Sequence, residues 1–175
     1  SRDATHRIVE FNAKLEELES NKEVINAEPS AKSSDVKEQF NKSSEMSGEA
    51  LAFDQALLSF DSRDFESSLD HFNHFKKLYP QSINIAEVYY WLGRTNVELY
   101  DYKSAASAFL EAFSQAPTGL FAWKALLGLA VALGDLGQME QGCLTMAELK
   151  SRFPDIVSKN SEELTLAEDQ LKCAQ

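Results

Sequence analysis

A chain of 175 residues with 43% hydrophobic content can build one ordinary core and carry an appendage, and its seven glycines and four prolines favour long helices over a turn-rich sheet protein. A formal charge of −11, from 28 acidic against 17 basic residues, excludes nucleic acid as a partner, because phosphate neutralisation needs clustered Lys and Arg. No apolar run is long enough to cross a bilayer, so direct membrane insertion is not expected; an opening at Ser1, with neither methionine nor signal peptide, fits a processed exported chain or a fragment.

The first predicted element is a helix over residues 3–22. Ala4, Ile8, Phe11, Leu15 and Leu18 follow the alternating four-three spacing of a coiled-coil seam, and Glu16, Glu17 and Glu19 lie off it. Residues 1–25 therefore read as the stub of an oligomerising helix. Residues 26–48 follow as a flexible linker, rich in serine and carrying Pro29, with a transient helix around Val36 and Phe40 as its one local signal.

Residues 49–157 are built on a repeat. Pro80, Pro117 and Pro154 are spaced 37 residues apart, and Phe65, Tyr102 and Met139, then Ser68, Ala105 and Gly142, then Phe72, Phe109 and Met146 recur at the same interval. A period of this length marks stacked helical hairpins, each too small to bury its own apolar face. The predicted pairs are 49–62 with 64–79, 85–99 with 102–115, and 120–136 with 138–152. Asp64, Asp101 and Gln138 open the second helices, and the prolines stop them. Leu92, Gly93, Tyr102, Ala105, Phe109 and Ala112 place small residues opposite large ones, which makes the middle unit the fullest match to the tetratricopeptide pattern. A last helix lies within residues 158–175, opened by Asn160 or Ser161, with Leu164, Ala167 and Leu171 as its apolar stripe. It is expected to cap the third hairpin. The fold class is all-α: a short coiled-coil helix, then a tetratricopeptide array of three repeats with a C-terminal capping helix.

Such an array offers a concave face lined by the first helix of each hairpin. Aligning the units puts Phe53, Leu57 and Phe60 there from the first, Tyr90, Arg94 and Val97 from the second, and Lys124, Leu127 and Val131 from the third. A mostly apolar groove with Arg94 and Lys124 as isolated cations suits an amphipathic helix or an apolar strand from a partner. Aspartate at Tyr90 and Val97 is expected to abolish partner binding without loss of helicity. Catalysis has no foothold: no nucleophile elbow, phosphate-cradling glycine loop or H-E-x-x-H is present, and His71 and His74 lack further ligands for a metal. No cofactor and no metal are expected. Cys143 and Cys173 are free thiols in a reducing compartment or a disulfide in an oxidising one.

Phe75-Lys76-Lys77-Leu78-Tyr79-Pro80-Gln81-Ser82, Tyr90-Trp91-Leu92-Gly93, and Leu136-Gly137-Gln138 followed by Gly142-Cys143 and Arg152-Phe153-Pro154-Asp155 form an ordered set of motifs. Through them residues 53–155 resemble the C-terminal domain of the Tol-Pal-associated cell division coordinator family (CpoB, also called YbgF). Helix, linker and repeat block reproduce that family's layout. Arg63 stands where the family usually has glycine, Ser68 and Gly142 where it usually has alanine, and Phe121-Ala122-Trp123 replaces a more polar entry to the third unit. The resemblance implies a periplasmic, non-catalytic adaptor that trimerises through the N-terminal coiled coil. Its implied partners are a TolA-like inner-membrane protein and the peptidoglycan synthase machinery, and its implied task is to coordinate outer-membrane constriction with septal peptidoglycan synthesis. In that oxidising compartment Cys143 and Cys173 are expected to pair and pin the capping helix. The alternatives are a component of outer-membrane protein assembly and a cytosolic peptide-binding adaptor.

Overall fold

The computed structural model describes the backbone of residues 34–173 and the side chains of residues 48–173. The coiled-coil stub expected at 1–25, and with it the trimer, lies outside the described residues. Two compact units divide the chain, residues 1–54 and 55–175.

Every described element is helical. Helix α1 runs Ser34–Asp61, α2 Phe65–Leu78, α3 Ile85–Glu98, α4 Tyr102–Gln115, α5 Ala122–Asp135, α6 Met139–Arg152, α7 Pro154–Lys159 and α8 Ser161–Leu171. The paired helices fall within three residues of their predicted limits, with one exception. Helix α1 begins at Ser34, not near Glu49, so most of the expected linker 26–48 is helical. The reason is local: between Pro29 and Gly48 no glycine or proline interrupts the chain, and the Lys, Glu and Gln of this stretch are good helix formers. No helix among the described residues is long and apolar enough to cross a membrane.

The 37-residue period is written into the turns. Each first helix ends at a left-handed residue, Arg63 (φ 62), Tyr100 (φ 60) or Gly137 (φ 79). The next amide then reaches back to a carbonyl five residues earlier: Asp64 N to Ser59 O at 2.9 Å, Asp101 N to Asn96 O at 2.9 Å, and Gln138 N to Leu133 O at 2.8 Å. Asp64 and Asp101 also cap the following helix, accepting from Ser67 N at 3.2 Å and Ser104 N at 3.0 Å. Gln138 holds the same position without a side-chain cap. At the far ends, Tyr79, Ala116 and Phe153 leave the helix for extended backbone, as a following proline requires. Pro154 then serves a second purpose as the first residue of α7, where its missing N–H costs nothing.

Successive helices pack on one another from α2 to α6 as stacked antiparallel pairs, and α8 packs on α5 and α6. One buried cluster joins Ala105, Phe109 and Ala112 of α4 to Tyr90, Ala125 and Leu129 of its neighbours. The ring of Phe109 is wedged where both Gly93 and Gly128 lack a side chain. In the first pair the buried Ser68 takes the place of an alanine without penalty, because its hydroxyl donates to Ala56 O at 3.2 Å and lies 3.4 Å from Thr95 Oγ1.

A second cluster holds α8. Leu164, Ala167 and Leu171 are buried against Leu126, Ala130, Met146 and Leu149. Leu171 occupies the space left by Gly134 and Gly142, on helices α5 and α6. A disulfide joins Cys143 to Cys173, just beyond the helix end, and Lys150 Nζ meets Glu168 Oε1 at 2.5 Å. The ion pair is surface-exposed and contributes little; burial and the covalent link fix the helix.

Candidate partner groove

Six of the nine residues expected on the concave face come together in one groove of about 690 Å³. Tyr90, Arg94 and Val97 enter it from α3, and Lys124, Leu127 and Val131 from α5; both sets occupy one helical stripe, two turns long. Leu57 is not part of the lining, and Phe53 belongs to the unit 1–54. Two residues expected as open contacts are core residues instead. Tyr90 is 7% exposed, with its ring centroid 5.1 Å from Phe121, 5.4 Å from Trp91 and 6.0 Å from Phe109, and Leu127 is 9% exposed within the α8 cluster. The expectation that Asp at Tyr90 spares helicity therefore fails: a carboxylate in that cluster would break the core. Tyr90 offers the groove its hydroxyl, which accepts from Arg94 Nη1 at 3.1 Å.

Both cations rest on aromatic rings. The Arg94 guanidinium lies 5.6 Å from the Phe60 centroid and 5.9 Å from that of Trp91, while Lys124 Nζ lies 5.7 Å from Phe121 and 5.6 Å from Trp123. Phe60, aligned with the concave face, thus acts as a support under Arg94 and packs edge-on against Trp91. Neither Arg94 nor Lys124 forms an ion pair among the described residues.

The other wall was not foreseen. Helix α8 contributes Glu163, Leu166, Ala167 and Gln170 to the same groove, and Asn160, its N-cap, joins them. One signal in the sequence pointed to it: Leu166 lies off the buried stripe of Leu164, Ala167 and Leu171, and it remains 64% exposed. Leu166 is one of several exposed large apolar side chains, and its place opposite α3 and α5 is what sets it apart.

His71 Nδ1 lies 3.1 Å from Ser59 Oγ, and His74 is exposed. No group of three or more His, Cys, Asp or Glu that could hold a metal occurs among the described residues.

Residues 124–155 match the family model of the tetratricopeptide repeat, a span that runs from the start of α5 through α6. No curated protein matches the sequence. Stacked antiparallel helix pairs, repeated turns and this match together make the chain an all-α, tetratricopeptide-like repeat protein.

Proposed function

We propose that the chain is a non-catalytic periplasmic adaptor of the Tol-Pal system. In this reading α1–α2, α3–α4 and α5–α6 are three tetratricopeptide units and α8 is their cap. The groove receives a segment of a TolA-like inner-membrane protein, and the adaptor links outer-membrane constriction to peptidoglycan synthesis at the septum. The N-terminal seam at residues 3–22 would hold three copies together. The observation that carries the reading is the groove: Val97 of α3 and Val131 of α5 line it together with the exposed Leu166 of α8, and Arg94 and Lys124 form no ion pair among the described residues. The disulfide favours an oxidising compartment, and the ordered motifs from Phe75 to Asp155 favour the Tol-Pal family.

The test is co-purification from envelope extracts with the native chain and with a Val97→Asp, Leu166→Asp variant. Both positions line the groove and neither is fully buried, so the variant should keep its helicity and lose a TolA-like partner. Undiminished capture by the variant, or fractionation of the protein with the cytosol, would refute the proposal.

A further inference from the structure

The walls of the groove carry opposite charge. Arg94 and Lys124 project from α3 and α5, and Glu163 from the first turn of α8. Arg94 spends one of its five donors on Tyr90, Lys124 makes no hydrogen bond, and Glu163 has neither a hydrogen bond nor an ion pair among the described residues. The apolar lining of the same groove includes Val97, Val131 and Leu166, with the buried Leu127 at its floor.

Every wall is a helix, so its backbone groups are already bonded within it. An extended strand laid here would bury its own amides and carbonyls against side chains alone, which is costly; a helix brings its backbone bonds with it. We infer that the occupant is an amphipathic helix whose apolar stripe is flanked by carboxylates on one side and by cations on the other. The acidic flank faces Arg94 and Lys124, and the basic flank faces Glu163. This rests on the groove being the partner site and adds the charge pattern of the partner. It also departs from what the net charge of −11 would select, since long-range attraction alone favours a wholly basic peptide.

Three synthetic helical peptides test it, sharing one leucine stripe and flanked by Glu on both sides, by Lys on both sides, or by Glu on one and Lys on the other. Their binding to the disulfide-intact chain is read by fluorescence anisotropy at physiological salt. The mixed peptide should bind about threefold to tenfold more tightly than either uniform one, the range that a few rim charges supply. Glu163→Lys should turn the preference to the Glu-flanked peptide, and Lys124→Glu, alone or with Arg94→Glu, toward the Lys-flanked one. Lys124 is exposed, so its variant keeps the test readable if the Arg94 change harms folding. Glu140→Lys, exposed on α6 and outside the groove, should leave the ranking unchanged. Equal affinities that fall with Val97→Asp would overturn the charge pattern and leave the groove standing. No binding by any peptide, or binding indifferent to Val97→Asp, would remove both.

Discussion

The ring of Phe109 fills the place where Gly93 would carry a side chain: a Cβ there would sit 2.5 Å from the ring, and one at Gly128 would sit 2.6 Å from it on the facing helix. A glycine inside a helix is normally a weakness of about 0.5–1 kcal/mol against alanine. Here the sign is reversed, because a buried ring held on both sides cannot retreat. Gly93→Ala should destabilise the protein by roughly 1–3 kcal/mol, the cost of overpacking. Phe109→Leu in the same chain should recover part of that loss, a coupling that a double-mutant cycle in urea measures directly. Additive effects would mean that the ring and the glycine do not compete for space.

Tyr100 and Gly137 occupy equivalent left-handed turns, one with a side chain and one without. Nothing lies within 4 Å of a Cβ at Gly137, so Gly137→Ala isolates the backbone effect and should cost about 1 kcal/mol. Tyr100→Gly should move stability the other way by a few tenths of a kcal/mol, since relief of the left-handed strain is partly offset by the freedom glycine has when unfolded. Paired thermal melts of the two variants check the opposite signs.

The helix caps carry a pH signature. Hydrogen bonds from the Ser104 backbone and then its side chain hold the Asp101 carboxyl below its ordinary value, and the Ser67 side chain and then its backbone do the same for Asp64. A depressed carboxylate stabilises the fold above its unfolded pKa and loses that contribution as pH falls through the lowered folded one. Gln138 is the vacant third member of the series, so Gln138→Asp should gain about 0.5–1 kcal/mol at pH 7. That gain should begin to fall below roughly pH 4, where the unfolded carboxyl takes up its proton, and disappear as pH passes the lowered folded value. Denaturation curves at pH 7 and pH 3 measure it, and a gain that persisted in acid would rule out a cap.

Cys143 and Cys173 close a loop with a separation of 30 residues. Chain entropy puts the stabilisation from such a link at roughly 3–4 kcal/mol. Reduction, or Cys143→Ser with Cys173→Ser, should lower the unfolding midpoint. It should also raise amide exchange in α8 well above that of α3 to α5, because α8 is otherwise held by one face and the insertion of Leu171. Uniform exchange along the chain would show that the disulfide acts on the whole array.

Much of this architecture was legible in the order of residues. Helix limits, turn positions and stops follow from Asp64, Asp101 and the three prolines, whose effects reach only a few residues along the chain. The small residues at Gly93 and Ala105 likewise announced close packing. The stretch after Ser34 was misread because its polar, serine-rich composition hides a run with no helix breaker. The groove was only half legible. Repeat register assigned Arg94, Val97, Lys124 and Val131 to a face, but rotation of α3 within its neighbours decided that Tyr90 turns its ring into the core and shows only a hydroxyl. Only the tertiary structure brought α8 across the array, so that Glu163 and Leu166 form the second wall. Local preferences act through backbone geometry over one or two turns and can be read directly. A surface made by helices more than thirty residues apart exists only once side chains have chosen their partners, and that choice belongs to the packing of the whole.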